Sequence, residues 1–309
     1  MLRVRVVPHR AEAVHAARGV IVASLISYPR AIVLGLLQGV SELFPVSSLG
    51  HTVILPQLLG WNIHQNAPYF LSFLVATHFA TAIVLFLFFW RDWVRILKGI
   101  GRSLRDRGIA PDDADAKLGW LLVVGTIPAG ILGLLLQDTL RKAFASGAIA
   151  AGFLIGNGVL LYGAELLRRR APETAEDDDT RIARRVSFRD AFVVGTAQSL
   201  ALIPGFSRSG ASMGGSLLVG LSNKDAARFA FLLATPLIGA AAVLKLPELF
   251  GATGNGVRGQ ALVASLCSAV TAYLAVRFLM RFFETNTLTP FAVYCFCAGL
   301  GATIYFAVS

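Results

Sequence analysis

Long apolar runs separated by short charged segments organise this chain. Between Arg30 and Arg91 the only formal charge is Glu42, and further uncharged runs cover Leu118 to Gln137, Ala143 to Ala164, Gly259 to Val276 and Thr285 to Ser309. A helix needs roughly 20 residues to cross the hydrocarbon of a bilayer. Six segments meet that length without interruption, at about 69–90, 117–136, 146–167, 225–246, 258–280 and 288–307. Each is expected to be a plain spanning helix.

Two other apolar stretches are broken. Residues 31–60 contain Glu42, Pro45, Gly50 and Pro56, and residues 191–221 contain Pro204, Gly205, Arg208, Gly210, Gly214, Gly215 and Gly220. Proline and glycine at that density interrupt a helix, and broken backbone at membrane depth survives only when buried in protein or lining a wet cavity. The two stretches also match each other. An ungapped offset of 160 residues superimposes Ala31 on Ala191, Gly35 on Gly195, Gln38 on Gln198, Ser47 on Ser207 and Gly50 on Gly210. At an offset of 158, Phe73-Leu-Val-Ala-Thr77 then falls on Phe231-Leu-Leu-Ala-Thr235.

The expected fold is therefore an all-α polytopic membrane protein built as an inverted repeat, each half a re-entrant broken-helix hairpin followed by three transmembrane helices. An odd number of crossings per half inserts the second half upside down, so the hairpins enter from opposite faces and their tips meet near the midplane. The boundaries are a tail over 1–29 and one membrane domain over 30–309, with repeat one at about 30–167, a loop at 168–189 and repeat two at about 190–309.

Composition supports lipid as the solvent, with 55% of the 309 residues hydrophobic and 15% charged. The net charge of +10 does not point to nucleic acid, because the basic residues cluster in short loops. Segments Arg91 to Lys117 and Arg168 to Arg189 each hold seven Lys or Arg, the second also carrying the acidic stretch Glu173 to Asp179. By the positive-inside rule both should face the cytoplasm. The tail, with Arg3, Arg5, Arg10 and Arg18, then lies outside, against the rule, and it lacks the apolar core of a cleavable signal peptide. Cys267, Cys295 and Cys297 all sit in apolar runs without ligand spacing, so they are read as packing or lipid-facing residues.

The intramembrane groups with reactive chemistry concentrate in the two broken stretches. Gln38 and Glu42 stand four apart and share a helix face. A carboxylate at membrane depth costs several kcal/mol unless paired or coordinated. Glu42 is either a metal ligand or general base, or half of a buried ion pair with Arg208 that locks the hairpins together. Ser47 is a helix cap or a substrate contact. Ser48, three residues before His51, is placed as a nucleophile beside a base, and His51 as the acid or base exchanging protons with a leaving oxygen. His64 lacks such company, and His78 is expected to be a packing histidine. Ser207, Arg208, Ser209 and Gly210 make a small phosphate cradle of planar cation, hydroxyls and close backbone amides. Arg208 joins Glu42, Ser48 and His51 as a catalytic candidate, and Gln38, Ser47, Ser207, Ser209, Gly210 and Ser212 form the expected substrate-binding set.

Together these residues resemble the bacitracin-resistance type of undecaprenyl pyrophosphate phosphatase, over about residues 30–307. That family carries a Glu/Gln-x-x-x-Glu motif running into Pro-x-Ser-Ser-x-Gly-His, matched by Gln38, Glu42, Pro45, Ser47, Ser48, Gly50 and His51. It also carries Pro-Gly-x-Ser-Arg-Ser-Gly, matched by Pro204 to Gly210. The resemblance implies hydrolysis of undecaprenyl pyrophosphate to the monophosphate, recycling the carrier lipid of cell-wall synthesis, with a divalent cation, Mg2+ or Ca2+. It implies a multi-pass protein of the bacterial cytoplasmic (inner) membrane whose site opens to the periplasmic or outer face. Glu42 becomes metal ligand or base, Ser48 or His51 the attacking group, and Arg208 the pyrophosphate clamp. Two positions depart from the pattern. Gln38 stands where many relatives have a second glutamate, and Leu49 replaces a common hydroxyl residue, which bears on metal stoichiometry and rate.

A phosphatase of the phosphatidic acid type needs a histidine at fixed spacing after Ser-Arg. Gly214 occupies that position here, and no histidine follows His78. A lipid-phosphate flippase or transporter is the other reading, since inverted repeats with broken helices are a carrier architecture. The expected partners are the polyprenyl pyrophosphate and membrane lipid, without nucleic acid. The oligomeric state is open, a homodimer among the options.

Overall fold

A computed structural model of the chain describes residues 26–143, 146–168 and 179–308, with side chains from 137 to 145 and at 179 left out. Most of the expected tail, and the acidic stretch up to 178, therefore lie outside the described residues. The described residues form helices and loops with no strand. In order these are α1 Tyr28–Leu43, α2 Ser48–Leu58, α3 Pro68–Phe88, α4 Trp90–Arg105, α5 Ala114–Ala143 and α6 Gly147–Arg168. They are followed by α7 Asp179–Arg185, α8 Phe188–Gln198, α9 Arg208–Leu218, α10 Asn223–Phe250, α11 Arg258–Phe282 and α12 Thr289–Val308. Six of them, α3, α5, α6, α10, α11 and α12, are long and apolar enough to cross a membrane.

Both broken stretches fold as helix, break, helix. Phe44 leaves α1 in an extended conformation, φ −64° and ψ 140°, as a residue before proline must. Ser47 then caps α2, its Oγ accepting from Gly50 N at 3.1 Å. In the second stretch Gly205 turns the chain at φ +108°, where a Cβ would sit 2.4 Å from Ala150 O. Ser207 caps α9 in the same way, accepting from Gly210 N at 3.1 Å.

Each broken stretch packs into the other half of the chain. α1 lies along α11, and α8 lies along α5. The contacts are backbone-close at equivalent glycines. A Cβ on Gly35 would meet Ala264 O at 2.3 Å, and one on Gly195 would meet Gly125 O at 2.2 Å. The tips meet as well, with Gly50 facing Gly205 and Gly210 facing Pro45.

The segment 91–117, expected as a loop, is helical over most of its length. α4 buries Trp93, Ile96, Gly99 and Ser103 against α5 while its basic residues face outward. The high charge count is that of one face of an amphipathic helix. At its end Arg102 forks onto Asp113 with two bonds of 2.8 Å, and this hydrogen bonding holds the Asp113 carboxyl below its ordinary range. α7 is a second helix inside an expected loop.

Candidate active site

Two buried hydrogen-bonded bridges hold the tips of the hairpins together. Asn157, fully buried in α6, accepts from Ser207 N at 3.0 Å and donates Nδ2 to Pro45 O at 3.0 Å. One amide thus satisfies a backbone donor of one tip and a backbone acceptor of the other. Ser209 Oγ donates to Phe44 O at 3.1 Å and lies 3.0 Å from Ser207 Oγ.

Glu42 stands at this junction, on the last turn of α1, 5% exposed. Its two oxygens face different partners. Oε1 accepts from both Nε and Nη2 of Arg208, at 3.2 and 3.0 Å. Oε2 accepts from Ser48 Oγ at 2.5 Å and Gln38 Nε2 at 3.0 Å, and lies 3.3 Å from His78 Nε2. The carboxylate is thereby compensated on both sides, as a buried charge requires. Arg208 comes from the first turn of α9, so the ion pair spans the two halves of the chain. Its remaining arm, Nη1, reaches Ala230 O at 3.4 Å.

Ser48 and His51 are not paired. The Ser48 hydroxyl, at the start of α2, turns back to Glu42, whereas the His51 ring has Nδ1 2.7 Å from Ser47 O and Nε2 2.8 Å from Tyr294 OH. Three residues of helix place them on one side of α2, but the i−4 carbonyl captures the imidazole. The base beside Ser48 is Glu42. Ser47 and Ser207 spend their hydroxyls as helix caps, Ser47 doing so at φ +69°, a left-handed conformation unusual for serine that is held by the junction. Ser212 is drawn away from the junction, donating to Gln198 Oε1 at 3.2 Å.

His78 is the correction that matters most. Read as a packing residue, it instead has Nδ1 2.8 Å from Leu74 O and Nε2 facing Glu42, so both ring nitrogens meet acceptors. Asn157 was not singled out either. The signal for both was available: each is a strongly polar side chain in the middle of a largely apolar span, which in a membrane marks a functional position.

A cation fits this donor set only in part. Among the described residues no three His, Cys, Asp or Glu side chains cluster as a metal site. Gln38 Oε1, however, is buried without a partner directly beside the carboxylate that Gln38 Nε2 binds. One carboxylate and one free amide oxygen suit a hard cation that takes its other ligands from phosphate and water.

Comparison with known proteins bears on the same region. Residues 31–301 match the model of the bacitracin resistance protein BacA family. The chain is 49% identical over 304 residues to a Mycolicibacterium paratuberculosis protein named undecaprenyl-diphosphatase, covering 92% of this chain and 98% of the relative. It is 41% identical over 343 residues to undecaprenyl-diphosphatase 2 of Frankia alni, with 92% and 99% covered. It is 46% identical over 272 residues to an undecaprenyl-diphosphatase of Acidiphilium cryptum, with 86% and 93% covered. With a match this long laid over a junction of the two expected motifs, the chain belongs to the BacA family of membrane proteins.

Proposed function

We propose that this chain hydrolyses undecaprenyl pyrophosphate to the monophosphate and inorganic phosphate, returning the carrier lipid to cell-wall synthesis. The observation that carries this is the Glu42 carboxylate held between the Ser48 hydroxyl and the Arg208 guanidinium, a base, a nucleophile and a phosphate clamp at one buried point. A carrier has no need of a hydroxyl hydrogen-bonded to a carboxylate at 2.5 Å.

In the step we favour, Glu42 accepts the Ser48 proton as Oγ attacks the terminal phosphorus. The bond from that phosphorus to the bridging oxygen breaks, lipid monophosphate leaves, and water then releases phosphate from the serine. Arg208 swings part of its fork from Glu42 to the phosphate oxygens, where a planar cation can hold two at once. His78 and Gln38 keep the carboxylate aimed at Ser48. His51, held between Ser47 O and Tyr294 OH, would line the approach of substrate together with Tyr294. Glu42 and Gln38 Oε1 would hold a divalent cation jointly with the substrate; when bound it supplies neutralisation of pyrophosphate charge.

The broken stretches are re-entrant hairpins of an inverted repeat in the cytoplasmic membrane, within a single membrane domain from about residue 30. The exchange of α1 and α8 between halves, at glycines 160 apart, supports that reading. Segments 91–117 and 168–189 face the cytoplasm and the site opens outward. The test is phosphate release by purified protein from undecaprenyl pyrophosphate, with and without chelator. Release in divalent metal that stops in chelator is expected. Binding without turnover in every metal tried would favour a carrier.

A further inference from the structure

Near the end of α11 a shallow groove of about 400 Å³ is lined by Leu274, Arg277, Phe278, Arg281 and Phe282. Arg277 and Arg281 are one turn apart, both exposed, and neither side chain has a hydrogen-bond or ion-pair partner among the described residues. The nearest acid in sequence, Glu284, is taken by Lys224 at 3.1 Å. Two unpaired guanidinia on one helix face repel each other, a cost that an anion between them removes.

The groove is continuous with the reactive junction. Phe278 stacks on Phe44, ring centres 5.9 Å apart, and Phe44 is two residues from Glu42. Phe44 and Phe282 also each meet Phe291 edge to face at 5.4 Å. An apolar aromatic wall thus runs from the arginines to the tip of the first hairpin. The groove's end of the molecule is fixed by contacts: Asn223 donates to Asn286 O at 3.0 Å, and Glu165 accepts from Leu288 N at 3.1 Å. That is the end where α6 leads into the basic segment 168–189.

We propose that this groove is a second lipid site, which docks the phosphate end of a polyprenyl monophosphate. The inference rests on the diphosphatase reading for the identity of the lipid. A phosphate monoester carries roughly 1.5 to 2 negative charges and three terminal oxygens, enough to engage both forks, whereas a phospholipid diester carries a single charge and two. The aromatic wall receives the first isoprene units. The groove adjoins the junction through Phe44 but shares no lining residue with Glu42 or Arg208, so it holds product lipid without blocking the reaction.

The experiment uses full-length protein in phosphatidylcholine nanodiscs, with undecaprenyl phosphate as probe and native mass spectrometry counting bound lipids. Wild type should bind two; Arg277→Gln/Arg281→Gln should bind one, with affinity for the second lost by at least about tenfold. Turnover of the pyrophosphate by that variant should stay within about twofold of wild type. Arg208→Ala should lose the other lipid and keep this one. Unchanged stoichiometry in the double variant would overturn the proposal, as would displacement of the second lipid by a tenfold excess of phosphatidylglycerol, which would make the groove a general anionic-lipid site. A mass of two chains that excludes the second lipid would show that another copy covers the groove, and would overturn it too. Binding is read without turnover, so a protein that released no phosphate but lost one lipid in the double variant would fail the function while keeping the site.

Discussion

Asn157→Leu tests how the two hairpins are held in register. Leucine shares asparagine's branched outline and is bulkier, so the change opens no void, but it removes the hydrogen bonds to Ser207 N and Pro45 O, both 3.0 Å long and both buried. Leaving a buried backbone donor or acceptor without a partner costs about 1–3 kcal/mol each. Two such groups amount to roughly 2–6 kcal/mol, enough to lower the melting temperature by about 4 °C or more. The catalytic effect should be larger than the stability effect. Glu42 and Arg208 approach from different hairpins, and a misplacement of about 1 Å in a catalytic constellation can cost roughly a hundredfold in rate. Thermal unfolding in detergent and phosphate release per folded protein read the two effects separately. Asn157→Asp keeps an acceptor for Ser207 N but sets a buried carboxyl group against Pro45 O, so it should melt no higher than the leucine variant. A leucine variant with wild-type melting and turnover would refute the bridge. A lower melting temperature with wild-type turnover per folded molecule would reduce Asn157 to a packing role.

Three other outcomes follow from the same geometry. Glu42→Gln keeps the side chain's shape but turns one of its two acceptor oxygens into a donor and removes the base, so turnover should fall by at least about a hundredfold while the protein still elutes as a single species; near-normal turnover would remove Glu42 from the mechanism. His78→Phe deletes one charge-assisted partner of that carboxylate, worth about 1.5 kcal/mol or more, and turnover should fall about tenfold or more; an unchanged rate would return His78 to the packing role first expected for it. A cysteine placed at Gly108 in a cysteine-free background should resist an impermeant thiol reagent in intact cells, and rapid labelling there would invert the topology.

The six spans were legible because apolar length is nearly sufficient evidence for them, and the breaks at Pro45 and Pro204-Gly205 because lipid leaves few uses for such residues. The junction of Glu42 with Arg208 was legible as a pairing of lone charges in two apolar stretches. Its finer contacts were not. Ser48 and His51 are neighbours on α2 by count, yet their side chains are claimed by Glu42 and by the Ser47 carbonyl, a choice made by tertiary packing that spacing does not carry. His78 and Asn157 belong to no motif, and only the rule that polar groups in membrane spans have a purpose could have raised them. α4 was hidden by its charge. Its buried positions Trp93, Ile96, Gly99 and Ser103 follow a helical period that its five basic residues made easy to overlook.

Arg208→Lys is the most direct measurement of the central claim, that the two hairpins meet to clamp and hydrolyse a pyrophosphate. Lysine keeps the positive charge opposite Glu42 and loses the planar fork whose Nε and Nη2 both reach Oε1. A clamp for charge developing in the transition state should not survive that loss, and one such contact typically supplies roughly a hundred- to a thousandfold in rate. Turnover of undecaprenyl pyrophosphate measured beside thermal stability in detergent should therefore show a fall of about that size with nearly unchanged melting. Full activity in the lysine variant would mean that the second hairpin contributes charge alone, and that the Glu42 to Arg208 pair is a structural lock.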